Sequence, residues 1–124
     1  MLPGRMTEAA SSGTCGTNVK WTLSDDYVLT IYGKGEMDHF TEPSKNPWYD
    51  VRQKIKKVVV KNGVTLIGES AFAECTALKD VTLPDSVTVI GYFAFQDCTA
   101  LEEISLPDSI DTIYNHAFMG CTSL

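Results

Sequence analysis

The sequence predicts an α/β repeat protein, a solenoid of about three 23-residue coils with a parallel β-sheet face, preceded by an N-terminal β-hairpin. Three observations predict it. The segment Ile67-Gly-Glu-Ser-Ala71-Phe72-Ala-Glu-Cys75-Thr-Ala-Leu78 returns after 23 residues as Ile90-Gly-Tyr-Phe-Ala94-Phe95-Gln-Asp-Cys98-Thr-Ala-Leu101, and again as Ile113-Tyr-Asn-His-Ala117-Phe118-Met-Gly-Cys121-Thr-Ser-Leu124. Between the copies lie Val81-Thr-Leu83-Pro84-Asp85-Ser-Val87 and Ile104-Ser-Leu106-Pro107-Asp108-Ser-Ile110. Ahead of them, residues 19–40 break the period with two short runs of alternating apolar and polar residues. A fixed period in this range marks stacked supersecondary units, each unable to bury its apolar face alone.

Within each unit, Leu78-x-x-Val81-x-Leu83 alternates as a short strand with one face inward. Pro84-Asp85-Ser86 ends it, because proline withdraws a ladder donor and Asp or Ser can bond the following amides. The stretch around Ala71–Cys75 supplies the other wall, as a helical turn, a 3₁₀ turn or a second strand. A degenerate copy comes first. It places Trp48-Tyr49 at the Ala-Phe position, Ile55 at the Leu, Val58 and Val60 in the strand, and Lys61-Asn62-Gly63 in place of Pro-Asp-Ser. The repeats therefore cover residues 47–124, the last of them truncated.

The region before them divides in two. Val19-Lys-Trp21-Thr-Leu23 and Tyr27-Val-Leu29-Thr-Ile31-Tyr32 flank a Ser24-Asp25-Asp26 turn, which reads as a hairpin with Trp21, Leu23, Leu29 and Ile31 on one face. Laid on the first coil it would blunt an open sheet edge, so residues 15–46 form a cap. Residues 1–14, rich in Ala, Ser, Gly and Thr, read as a flexible leader. They contain no secretory signal, and no apolar run in the chain is long enough to span a bilayer.

Charge narrows the partners. A net charge of -6 argues against nucleic acid, whose phosphates require a basic face. Residues 1–66 carry nine basic and seven acidic side chains, whereas residues 67–124 carry one and nine. Such asymmetry bears on association more than on fold.

The run Cys15-Gly16-Thr-Asn18…Trp21-Thr-Leu23…Leu29-Thr-Ile31-Tyr-Gly33-Lys-Gly35-Glu-Met37…Pro47-Trp48, followed by Ile-Gly-x-x-Ala-Phe-x-x-Cys-x-x-Leu repeats, resembles the BspA-like leucine-rich repeat proteins of bacteria. The resemblance covers residues 13–124 and matches hairpin and repeat motifs in order. It implies a leucine-rich-repeat solenoid, an extracellular or cell-surface location, and roles in adhesion and protein binding. It supplies no catalytic residue.

The residues themselves agree with a chain that is not an enzyme. His39 and His116 have no positioned partner of the kind a general base needs, and Gly33-x-Gly35 lacks the Lys-Ser/Thr of a phosphate loop. Cys75, Cys98 and Cys121 share one phase of the repeat and form an inward column of buried thiols; Cys15 is a further buried thiol. Neither C-x-x-C nor paired histidines are present, so no zinc is expected, and no cofactor. The acidic neighbours Asp85 with Asp108 and Glu74 with Asp97 could hold calcium between coils, but turn carboxylates more often stay solvated. Phe72, Phe95 and Phe118 recur at one core position, and Trp21 and Trp48 fill space beneath the cap rather than anchor a ligand.

The candidate binding surface is the outward sheet face, in three columns: Lys56-Lys79-Glu102, Lys57-Asp80-Glu103 and Val59-Thr82-Ser105. Lys57 beside Asp80 is a favourable cross-strand pair, and Asp80 beside Glu103 an unfavourable one. This face lacks the aromatic and arginine anchors common at interface centres. The reading is a non-catalytic module that binds a host or bacterial surface protein; the alternative is a structural spacer with no ligand. An open edge at Ile104–Leu106 leads to an expectation of weak self-association.

Overall fold

The structure, a computed structural model, describes residues 11–124. It holds nine short strands: β1 Ser12–Thr14, β2 Val19–Leu23, β3 Val28–Gly33, β4 Gly35–Glu36, β5 Lys57–Val60, β6 Val64–Ile67, β7 Asp80–Thr82, β8 Val89–Ile90 and β9 Thr112–Ile113. Among the described residues there is no α-helix, only 3₁₀ turns at Pro43–Lys45 and Tyr49–Val51. The helical part of the expected α/β class is thus corrected. The parallel strands of a leucine-rich repeat are present.

Two sheets line the molecule, ordered β1-β2-β3-β5-β7 and β4-β6-β8-β9. The repeat sets their register. Lys57 pairs with Asp80 and Val59 with Thr82, while Leu66 pairs with Val89 and Val89 with Thr112, each in parallel and each 23 residues apart. The second wall is therefore a sheet, but it lies just past the Pro-Asp-Ser turn and not at Ala71–Cys75.

The Ala-Phe stretch is a chain of turns, and its backbone angles show why it does not become a helix. Ser70, Phe93 and His116 have φ of 57–63°, and so do Glu74 and Asp97, with Gly120 at 79° in the same column. Left-handed residues placed four apart forbid a continuous right-handed helix. Instead the amides reach the next coil: Phe72 N–H donates to Ala94 O at 2.8 Å, Glu74 to Gln96 O at 2.6 Å, and Phe95 to Ala117 O at 2.8 Å. Beside the second sheet the direction is reversed, with Gly91 N–H donating back to Ile67 O and Tyr114 N–H to Ile90 O, both at 2.9 Å.

The serines of Pro-Asp-Ser also act between coils. Ser86 Oγ donates to Val64 O at 2.7 Å and accepts from Gly63 N–H at 2.9 Å, and Ser109 Oγ donates to Val87 O at 2.7 Å. The expected bonding to the following amides gives way to bonding with the coil before.

An aromatic column runs through the core. Trp48 stacks on Phe72 at 5.8 Å, Phe72 lies 5.3 Å from Phe95, and Phe95 stacks on Phe118 at 5.4 Å. Trp21 and Phe40 meet Trp48 edge-on. Trp48 Nε1 donates to Ala71 O at 2.8 Å, so the buried indole leaves no unpaired donor. In sequence phase Trp48 matches Ala71, yet its ring occupies the level of the phenylalanines.

The N-terminal strands extend the first sheet edge-on. β2 and β3 pair antiparallel, and β3 continues in parallel onto β5, with Leu29 opposite Val58 and Thr30 opposite Val59. Ser12–Thr14, which the sequence assigned to the leader, instead pairs with β2. Gly13 permits this, since a Cβ there would sit 3.1 Å from Trp21 Nε1. The rest of the expected leader, residues 1–10, lies outside the described residues.

Candidate functional site

The outward face of the first sheet is built by strand alternation. Val19, Trp21, Leu29, Ile31, Val58 and Val60 point into the core. Their neighbours therefore point out. Register joins these into rows that cross the strands. Ser12 lies opposite Thr22, Thr22 opposite Thr30, Thr30 opposite Val59 and Val59 opposite Thr82. A second row runs Thr14, Lys20, Tyr32, with Lys61 adjoining through its N–H bond to Ile31 O at 2.8 Å. A third runs Val28, Lys57, Asp80. The result is a surface of hydroxyls and methyls flanked by Lys20, Lys57 and Lys61 against one carboxylate, Asp80. It is a positive face on a negative chain.

Of the residues chosen from sequence, Lys57, Val59, Asp80 and Thr82 stand on this face, and Lys56 and Lys79 are exposed just ahead of the strands. Lys79 N–H donates to Lys56 O at 3.0 Å, and Lys56 N–H to Tyr27 O at 3.0 Å. Glu102, Glu103 and Ser105 are exposed but belong to no strand; the sheet ends at β7. The last member of each expected column is corrected on that point, and so is the Ile104–Leu106 strand. Asp80, Glu102 and Glu103, with Lys79 and Ala100, line a cleft of about 280 Å³ at this end of the sheet, and like charges side by side disfavour pairing there.

Sequence reasoning missed Lys20, Thr22, Thr30 and Tyr32. The signal was present, because an alternation that sends Trp21 and Ile31 inward sends these four outward. It went unused because the β2–β3 pair was expected to lie over a coil, not beside one.

Behind the face, Phe72 and Phe95 are fully buried, Trp48 and Trp21 nearly so, and Phe118 half-buried. Cys15, Cys75 and Cys98 are buried and Cys121 half-buried, all as free thiols. Cys98 Sγ donates to Phe72 O at 3.2 Å, and Cys121 Sγ to Phe95 O at 3.0 Å, so the column is tied to the coil before it. Burial pushes the Cys15 and Cys75 thiols up to about 12, and raises Cys98 and Cys121 as well. At pH 8 a thiol of pKa 12 is ionised to about one part in 10⁴, far too little to act as a nucleophile. Iodoacetamide at pH 8 is thus expected to label Cys121 first, the others only on unfolding; mass spectrometry showing Cys75 or Cys98 labelled as fast as Cys121 would contradict this. Because each thiol binds its proton more tightly when folded, the column stabilises the fold fully below about pH 8.5. That contribution falls as pH climbs toward the raised values.

Glu74 is taken up by Arg52, whose Nε donates to Oε1 at 3.1 Å, and Arg52 also lies 3.7 Å from the Tyr49 ring centroid. That ion pair takes up one oxygen of the Glu74 carboxylate. Among the described residues no group of three or more His, Cys, Asp or Glu side chains is placed to hold a metal.

The family model described as BspA type leucine rich repeat region (6 copies) matches residues 44–124. The chain is a BspA-type leucine-rich repeat protein. Solved structures agree. A leucine-rich repeat protein from Eubacterium ventriosum is 34% identical, with a TM-score of 0.73, over 84% of this chain. One from Bacteroides capillosus is 23% identical, with a TM-score of 0.56, over 86% of this chain and 89% of its own. A T. pallidum leucine rich repeat protein is 20% identical, with a TM-score of 0.56, over 84% of this chain and 65% of its own. No curated protein matches. The BspA-type chain spans 28% of the length of the Eubacterium protein. Leucine-rich repeats generally mediate protein interactions and are generally non-enzymatic.

Proposed function

We propose that this chain is a non-catalytic protein-binding module of a bacterial cell-surface or secreted protein, acting in adhesion through the outward face of its first sheet. Residues 47–124 are read as the coils of a solenoid and residues 15–46 as the cap that closes it. The observation that carries the reading is the continuity of that face across β1, β2, β3, β5 and β7, with Lys20, Lys57 and Lys61 outnumbering the one carboxylate, Asp80. A preformed sheet presents many groups with little ordering cost on binding. Its positive charge on a chain of net charge -6 selects acidic partner surfaces and speeds encounter.

The purified chain, immobilised, is expected to capture acidic host or bacterial surface proteins. Reversing all three lysines to glutamate should weaken capture about tenfold at physiological salt. Equal capture by the variant would move the binding site elsewhere, and capture of nothing would favour the second reading, a spacer without a ligand. That second reading draws on Leu106, Ile113, Met119 and Leu124, each at least 40% exposed in the last repeat, an apolar surface suited to another coil or copy. The weak self-association this implies would show in light scattering as a mass that rises with concentration.

A further inference from the structure

A pair of exposed aromatic rings, Tyr92 and Tyr114, stands beside the second sheet. A groove of about 300 Å³ crosses the outward side of the second sheet, lined by His39, Leu66, Glu69, Val89, Tyr92 and Tyr114 over Gly91. Leu66 and Val89 are paired neighbours on β6 and β8 and make an apolar floor. Gly91 keeps that floor low, since a Cβ there would come within 2.9 Å of the Glu69 amide nitrogen and Ile67 O. The Tyr92 and Tyr114 rings lie 4.6 Å apart, tilted by 35°, and each remains 42% exposed. Each ring thus spends one face on its neighbour and leaves the other open.

One wall carries charge. Glu69 is fixed through its backbone: its N–H donates to His39 Nδ1 at 3.1 Å and its carbonyl accepts from Phe40 N–H at 3.0 Å. Its carboxylate forms no ion pair among the described residues. His39, whose Nδ1 accepts that bond, stands at the rim of the groove. Among the described residues no lysine or arginine lines the groove. The half of the chain that supplies most of it, residues 67–124, bears nine acidic side chains against one basic.

We propose that this groove binds an arginine side chain from a basic peptide segment of a partner protein. The aliphatic stem lies along Leu66 and Val89, the guanidinium stacks on an open tyrosine face, and the Glu69 carboxylate takes its N–H donors. Arginine fits better than lysine because its planar, weakly hydrated cation both stacks and forks. The volume suits one long side chain, and the acidic half draws basic segments toward it. The site is separate from the lysine-flanked face and stands whether or not that face binds.

Fluorescence anisotropy with labelled pentaglycine peptides carrying a central arginine, lysine or citrulline tests it directly. The arginine peptide is expected to bind, the lysine peptide more weakly, and the citrulline peptide, which keeps shape without charge, about tenfold more weakly. Glu69→Gln and Tyr92→Ala should each weaken the arginine peptide about fivefold, with circular dichroism confirming the fold. Equal binding of arginine and citrulline peptides, or no arginine binding at about 5 mM, overturns the proposal. So does binding of methyl glucoside that Glu69→Gln leaves unchanged, which would assign the tyrosines to a sugar.

Discussion

Replacing Phe95 by alanine is expected to lower the stability of the chain by about 3–5 kcal/mol. Phe95 is fully buried and touches rings on both sides, 5.3 Å from Phe72 and 5.4 Å from Phe118. The change therefore opens a cavity in the middle of the column and removes two ring contacts at once, each worth about 0.5–1.5 kcal/mol beyond burial. The coil cannot easily collapse to fill the space, because Phe95 N–H is bonded to Ala117 O and Asp97 N–H to Met119 O on the next coil. Phe118→Ala supplies the comparison. Its ring is half-buried and stacks only on Phe95 among the described rings, so about 1–2 kcal/mol should be lost. Thermal melting of the two variants measures the difference, with Phe95→Ala lower by about 6–12 °C. Similar midpoints would mean that the column is not the continuous core described here.

Gly68→Ala should be nearly as damaging, for a different reason. Gly68 is buried, and a Cβ there would land on the carbonyl of Asp38, an overlap that no rotamer relieves. The 37–40 segment cannot step aside freely. Met37 N–H is bonded to Leu66 O, Asp38 N–H to Cys15 O and Phe40 N–H to Glu69 O. A loss of about 3 kcal/mol is expected, at the upper end for overpacking. Gly35→Ala separates crowding from backbone strain. Gly35 has φ of 102° but nothing within 4 Å of the added methyl, so it should lose about 1–2 kcal/mol. If denaturant midpoints put Gly35→Ala below Gly68→Ala, strain and not close approach governs these glycines.

These two sites differ in how far the sequence disclosed them. Phe95 was legible because Phe72, Phe95 and Phe118 recur at one phase, and the same phase gave the Lys57–Asp80 register to the residue. The close approach at Gly68 was not, since an Ile-Gly pair says nothing of the chain that passes over it. The second sheet escaped notice because β8 and β9 are two residues each, too short for an alternation to register. Five of these six left-handed positions are filled by Ser70, Phe93, His116, Glu74 and Asp97 and one by Gly120, so composition offered little clue. The His116 column holds Ser70 and Phe93 as well, side chains with nothing in common; what that column demands is a backbone angle.

The tyrosine groove was hidden by phase. Tyr92 aligns with Glu69 and Asn115, and Tyr114 aligns with Gly68 and Gly91, so the two fall in different columns. They meet because ring contact needs nearness across a one-residue offset, which a strict alignment discards. The lysine-flanked face was legible in part, through Lys57 and Asp80. It was misplaced at its far edge, where the sheet ends at β7 and the carboxylates of Asp80, Glu102 and Glu103 disfavour another short strand.

The opposed directions of the inter-coil hydrogen bonds have an electrostatic meaning. Amides of Phe72, Glu74 and Phe95 point toward the later coil, and those of Gly91 and Tyr114 toward the earlier one. Aligned peptide dipoles in an α-helix add up along its axis and leave partial charges at its ends. Here the row on one wall offsets the row on the other, so adding a coil adds little net dipole along the stack. Arrays of this kind can lengthen without building an axial field, and the potential that a partner meets is set by side chains such as Lys57 and Glu69.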